Sequence, residues 1–184
     1  MKSPIKGYKW VLPIVFVALV AVFVVGAPTR GTAGQGPGTV SAVSKQLERL
    51  DKGQAETAAG WEIQLPSVLP QGAVMQGIYV VKPPVSSRFD LTRVHVDWTI
   101  GEKLLIGFDQ AKSSLRIGGG PLTTVAVQGV QGEYLEQSNK DGTVHTKTVA
   151  WQKDGMNYIV GVTSLDGSEP SKAVLLQIAE SVRR

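Results

Sequence analysis

Between Trp61 and Thr163, apolar side chains return at every second position in one segment after another. A chain patterned this way builds a sheet and cannot bury itself as a helical bundle. The clearest segment is Thr92 to Ile100. There Val94, Val96, Trp98 and Ile100 share one face, and Arg93, His95, Asp97 and Thr99 share the other. Gly101-Glu102 turns the chain into Lys103–Asp109, where Leu104, Ile106 and Phe108 again share a face. Trp61, Ile63 and Leu65 alternate with Glu62 and Gln64, which predicts a first strand ending near Leu65. Further strands are expected at 74–82, 123–128, 132–138, 144–153 and 156–163. Asn139-Lys140-Asp141-Gly142 and Asp154-Gly155 supply hairpin turns, because Asn, Asp and Gly tolerate the positive φ such turns need.

The period changes at the C-terminal end. Over Ser168–Arg184, Val174, Leu175, Ile178 and Val182 form an apolar stripe, and Pro170 suits a first helical turn. This predicts a docking helix of about four turns. Seven or so antiparallel strands with a terminal helix on one sheet face make an α+β domain over residues 61–184. No internal repeat is visible.

The N-terminal part follows other rules. Trp10 to Ala27 is a run of 18 residues without a charged or amide side chain, preceded by Lys2, Lys6 and Lys9. A helix crossing the hydrocarbon core needs about 20 apolar residues, and a signal-peptide core is shorter, about 7–15. An uncleaved single-pass anchor is therefore expected. The lysines place residues 1–9 in the cytoplasm and everything after Ala27 outside a bacterial cell membrane. Val25-Gly26-Ala27 resembles a cleavage site, although Pro28 is a poor residue to follow a cut. Cleavage there would give a secreted protein. Residues 28–39, rich in Gly, Pro and Thr, read as a flexible tether. Within 28–60, Val40, Val43, Leu47 and Leu50 mark a short amphipathic helix over about 40–52, with Gly53 as its stop. That stripe is expected to pack on the following domain.

Charge and cysteine content narrow the function. The net charge of +4 is supplied by Lys2, Lys6, Lys9 and Arg30, with no acidic residue before position 31. Residues 31–184 then hold 15 basic and 15 acidic side chains, a net charge of zero. A nucleic-acid footprint on the domain is not supported, nor is a polybasic membrane surface. With no cysteine, the exported domain is held by its core alone, and thiolate metal sites and a cysteine nucleophile are excluded.

No constellation demands catalysis, metal or cofactor. His95 and His145 are too few for a histidine-only zinc site, and a shared role would need adjacent strands and a carboxylate such as Asp97 or Glu136. Gly118-Gly119-Gly120-Pro121 lacks the helix, Lys and Ser or Thr of a phosphate loop and is expected to be a plain loop. Gln137-Ser138-Asn139-Lys140-Asp141-Gly142 lacks the first Asp and the twelfth-position Glu of a calcium loop, where Gln137 and Thr148 stand. No Ser sits in a Gly-x-Ser-x-Gly frame. Trp61, Tyr79, Trp98, Tyr134, Trp151 and Tyr158 are expected to be core or core edge, with a sugar or lipid groove as the functional alternative. Leu65-Pro66-Ser67-Val68-Leu69-Pro70-Gln71-Gly72 is a proline-stiffened corner, and its rim could serve as a docking edge.

These signals, in order, resemble a bacterial extracytoplasmic family, the domain-of-unknown-function family 4367. They are Leu-Pro-x-x-Leu-Pro-x-Gly at 65–72, Gly-Ile-Tyr-Val at 77–80, Val-x-Val-x-Trp at 94–98 and Leu-Leu-Ile-Gly-Phe at 104–108. Val-x-Gly-x-x-Gly follows at 127–132, Ala-Trp-Gln-Lys-Asp-Gly-Met-Asn-Tyr-x-Val-Gly at 150–161, and Leu-x-x-Ile-Ala-Glu-Ser-Val at 175–182. The chain is also similar in outline to the C-terminal domain of the MucB/RseB sigma-regulatory proteins. The resemblance covers about residues 61–183. It implies a sheet with a final helix on an anchored protein and supplies no catalytic residue. MucB/RseB proteins bind an anti-sigma factor and lipid-like signals, but their larger lipid-binding domain has no counterpart here. Nine residues before the apolar run are too few for a sigma-binding domain.

The expectation is a non-enzymatic, membrane-tethered binding or regulatory module, without cofactor or metal, contacting another envelope protein. Pro66, Val68, Leu69 and Pro70 on the rim and Arg93, His95 and Asp97 on the polar strand face are the candidate partner-binding residues. The alternatives are a lipid or glycan carrier with a groove under the terminal helix, and a hydrolase using His95, Asp97 or Glu136.

Overall fold

A computed structural model describes residues 48–82 and 92–183. The expected anchor at Trp10–Ala27, the tether and the stripe residues Val40, Val43 and Leu47 lie outside the described residues. Among those described, no helix is long and apolar enough to cross a membrane.

The order is helix α1 (Lys52–Ala59), strands β1 (Val74–Val81), β2 (Arg93–Ile100), β3 (Leu104–Ala111), β4 (Thr123–Val127), β5 (Val130–Ser138), β6 (His145–Lys153) and β7 (Met156–Ser164), then helix α2 (Lys172–Glu180). The strands form one antiparallel sheet in the order β1-β2-β3-β7-β6-β5-β4. The α+β class expected from the sequence is what the structure has. Two meanders, β1–β3 and β4–β7, are joined where β7 pairs with β3.

Register carries the alternation of each strand across the sheet. Ile78, Val96, Phe108, Val160, Val149 and Tyr134 stand in one cross-sheet row on one face. Both helices pack on that face: Ala55 from α1 and Leu175, Ile178 and Ala179 from α2 join its buried cluster. Trp98, Tyr134, Trp151 and Tyr158 are buried there as core rings, with Trp151 stacked on Tyr158 at 5.0 Å.

The other face is covered differently. The connection from β3 to β4 must pass over β7, β6 and β5 to reach the far edge, and its Ile117 joins Leu135, Ala150 and Ile159 in a second small core. This bears on two of the three glycines at 118–120; at Gly118 an added Cβ would meet nothing within 4 Å. A Cβ at Gly119 would stand 2.6 Å from Gln137 Nε2, and one at Gly120 would stand 3.0 Å from Leu135 Cδ1. Glycine lets the crossover lie close on β5 without displacing the ends of these side chains, and Gly119 also has φ 104°, which L side chains rarely adopt. Strand β7, central and covered on both faces, is buried along its whole length.

Three expectations need correction. The alternating Trp61–Leu65 segment is not a strand of the sheet. Its backbone is met by side chains instead: the Ile63 N–H donates to Glu56 Oε1 (3.0 Å), and the Gln64 N–H donates to Gln110 Oε1 (2.9 Å). Gln110, fully buried, returns an Nε2 bond to the Glu62 carbonyl. Second, Gly53 starts a helix rather than stopping one. Asp51 and Gln54 form a capping box that fixes the start of α1 at Lys52, and Gly60, at φ 79°, ends it. Leu50 lies before that helix and bridges to Ile78. Third, the terminal helix is only nine residues, with Ser171 as its cap and Pro170 outside it.

The hairpin turns at Gln128-Gly129 and Asp154-Gly155 have positive φ at both residues (51° and 76°, 51° and 75°), the geometry that matches strand twist. Gln128 also ties its turn to α2. Its Nε2 donates to the Ala179 (2.9 Å) and Val182 (2.7 Å) carbonyls, and its N–H donates to Glu180 Oε1 (2.7 Å). The Ala179 carbonyl also accepts from the Val182 N–H (3.3 Å), and the Val182 carbonyl lies just past the end of α2. Gln128→Ala is expected to lower unfolding stability by about 1–3 kcal/mol, two hydrogen bonds' worth. Urea denaturation with an unchanged slope checks it.

Candidate functional site

The polar face of β2 becomes a charged cluster because β3 adds a fourth member. The hairpin register pairs His95 with Asp109 and places Arg93, His95 and Asp97 on the face away from the helices. His95 Nδ1 is 3.0 Å from Asp109 Oδ1, and Nε2 is 2.7 Å from Asp97 Oδ1. Arg93 Nε lies 3.7 Å from the same Asp109 oxygen. Asp109 is buried, while Arg93, His95 and Asp97 are partly exposed. A Cβ at Gly77 would collide with the folded-over Tyr79 side chain, whereas one at Gly107 would make only ordinary contact with His95 Cε1, at 3.6 Å.

This geometry sets the protonation of His95. A carboxylate oxygen only accepts, so both ring nitrogens facing carboxylates carry hydrogens and the ring is an imidazolium. Burial of the ring opposes the charge. The charge of Asp109 and the hydrogen bonds to Asp109 and Asp97 together outweigh it and raise the pKa to about 10. An imidazolium has no lone pair with which to accept a proton or bind a metal. The cluster is two cations and two carboxylates satisfying one another.

The other predicted residues fall elsewhere. Pro66 is buried and bridges to Val182, so it is not on a free edge. Ser67 and Val68 are stitched to the end of α2: the Ser67 N–H and Oγ both donate to the Ser181 carbonyl, and the Val68 N–H donates to Ser181 Oγ. Leu69 packs against the main core, and Pro70 is half-buried. Of Pro66, Val68, Leu69 and Pro70, only Val68 is exposed, at 40%. The rim thus borders the helical layer, whereas Arg93, His95 and Asp97 lie on the opposite face, and the two do not make one surface.

His145 does not join His95. Strands β3 and β7 separate their strands, and His145 bonds Ser138 Oγ and the Gly142 carbonyl. Glu136 is on the helical face, bonded by the Tyr134 hydroxyl and by Lys147 Nζ (3.3 Å), so it does not assemble with His95 and Asp97. The Asn139 side chain accepts from the Thr143 and Val144 N–H groups and shapes a hairpin turn. The space expected for a groove beneath α2 is filled by Leu175, Ile178 and Ala179. Among the described residues, no three His, Asp or Glu side chains are grouped to hold a metal.

Asp109 was missed in the sequence, yet it was legible there. A turn between paired Ile100 and Leu104 makes the numbers of partners sum to a constant, which puts 109 opposite 95. Comparisons with family models, curated proteins and solved structures give no match.

Because the folded-state pKa of His95 lies above its ordinary 6.5, the folded chain holds this proton more tightly than the unfolded chain. The resulting stabilisation is complete below pH 6.5 and is lost as pH rises towards about 10. The stability difference between the wild type and His95→Gln is expected to shrink over that window, by an amount on the order of a few kcal/mol. Denaturant midpoints measured from pH 6 to 10 check this. A difference that grows with pH contradicts it.

Proposed function

We propose that this chain is a membrane-anchored binding module facing outward from the bacterial cell envelope, with residues 61–184 contacting another envelope protein and regulating it. The observation that carries this reading is the apolar run Trp10–Ala27 behind Lys2, Lys6 and Lys9, followed by a domain of balanced charge. An anchor of this kind raises the concentration of the domain beside a membrane-bound partner. The likeness to an extracytoplasmic family of anchored proteins supports the same reading.

Of the two candidate surfaces, the rim is the better partner site. The groups of the His95 cluster already satisfy one another, and their charge gains little from a further partner. Val68, by contrast, is an apolar side chain held at the surface by hydrogen bonds on either side of it. Val74 (60% exposed) and Met75 (38%) follow a few residues later, after a turn closed by the Ala73 N–H and the Pro70 carbonyl. Exposed apolar groups held by fixed backbone are what a partner's surface can bury at low entropic cost.

Protease added to intact spheroplasts is expected to digest the domain while a cytosolic marker survives. A photoreactive side chain at Val68 is expected to give a discrete adduct with one envelope protein, and Val68→Asp to lose that protein from pull-downs. Recovery of the intact chain in soluble cytosol would overturn the anchoring. An unchanged pull-down with Val68→Asp would remove the rim.

A further inference from the structure

The two edges of the sheet are finished differently. On β1 the register breaks between Met75 and Gly77, and the Leu50 N–H donates to the Ile78 carbonyl at 2.9 Å along the strand's outer side. A bulge and a covering segment are two ways in which edge strands avoid pairing with another chain. Strand β4, at the other edge, has neither. Its register with β5 runs unbroken from Thr123↔Tyr134 to Val127↔Val130, and among the described residues nothing pairs with its outer side. The charges that usually guard an edge are also missing, since residues 117–132 contain no charged side chain.

The turn geometry shows which groups point outward. The Gln128-Gly129 turn is a two-residue hairpin closed by Val127 and Val130. In such a turn the closing pair exchanges its main-chain hydrogen bonds. By alternation Val125 and Thr123 also bond towards β5, which leaves the N–H and C=O of Ala126, Thr124 and Leu122 facing away from the sheet. The side chains of Ala126, Thr124 and Leu122 are exposed, Leu122 at 43%.

We propose that β4 pairs antiparallel with β4 of a second copy of this chain, about a two-fold axis through Thr124, so that the two seven-stranded sheets become one. Thr124 then faces Thr124 of the partner subunit, and Leu122 faces Ala126 of the partner subunit. All three outward residues are used, with about six main-chain hydrogen bonds between chains. The strand suits itself as partner. Cross-strand Thr–Thr and apolar pairs are favourable. The nearest charge in this row is Glu133, which pairs with Thr124 from β5. Across the axis the two copies of Glu133 are three strand spacings apart, about 14 Å, beyond the screening length of about 8 Å in physiological salt.

The full chain, purified in detergent, tests this by light scattering corrected for detergent. Wild type is expected at twice 19.6 kDa, and Ala126→Lys, which sets a charge opposite Leu122 of the partner subunit, at half the wild-type mass. Circular dichroism confirms that the variant is folded. The absence of native cysteine gives an independent measurement that does not depend on that variant. Paired residues of this kind have Cα atoms about 5.5 Å apart, within disulfide range. Thr124→Cys is therefore expected to form a disulfide dimer on mild oxidation, and Val74→Cys, on the other edge, to remain largely monomeric. A wild-type mass of one chain, an Ala126→Lys mass equal to a wild-type dimer, or equal cross-linking at the two edges overturns the proposal. So does oxidation in membranes that links Thr124→Cys to a different polypeptide.

Discussion

One ladder makes this a single sheet. Strand β3 closes the first meander and β7 closes the second, and they pair from Leu104↔Ser164 to Ala111↔Asn157. Every other pairing joins strands adjacent in sequence. Without this ladder the chain would be two smaller sheets, each with an apolar face and too little to cover it. The ladder also decides where the rest must go. Because β7 sits beside β3, β4 is sent to the far edge, and the connection reaching it must cross three strands. That crossing supplies the second core, and the close approach of Gly119 and Gly120 follows from it. Closing a loop of some fifty residues is entropically slow, which makes this pairing the expected late step of folding.

With the sheet fixed, the two faces take different roles. The helical face holds the large rings and β-branched residues, and with no cysteine in the chain their burial is the main source of stability. Apart from the indole N–H groups of Trp61 and Trp151, the polar side chains buried in that layer have partners. Gln110 is the instructive case: its amide replaces the ladder that the Trp61–Leu65 segment does not have, and so holds Ile63 in the core without adding a strand. The opposite face is thinly covered and tolerates charge, provided that the charge is matched.

Much of this was legible because strand periodicity is local. The seven sheet strands fall close to the segments marked by alternation, and the side-chain rows of β2 were readable residue by residue. What was not legible depends on distant neighbours. Trp61–Leu65 alternates as a strand would, but its backbone is met by the side chains of Glu56 and Gln110 rather than by a strand, and Gln110 is distant in the sequence. Gly53 reads as a helix stop until Asp51 and Gln54 are seen to cap a helix around it. Of the candidate site, Arg93, His95 and Asp97 were placed correctly on one face. Their distance from Pro66 and Val68 was not foreseeable, because the corner is bound to Ser181 at the other end of the chain.

The His95 cluster shows how a half-buried charge group can be stable without being a site of chemistry. Asp109 is 5% exposed, and an ionised carboxylate at that depth needs compensation. Arg93 alone is 3.7 Å away and aligned on one oxygen. A neutral His95 could donate to Asp109 only by turning a bare nitrogen towards Asp97, 2.7 Å away. The protonated ring removes that conflict, and the group becomes neutral as a whole. Replacing any one of the four leaves an unmatched charge, which costs more than the intact group contributes. The cluster therefore specifies the β2–β3 register more than it adds net stability, since a one-residue slip would place His95 opposite Phe108 or Gln110 and strand Asp109.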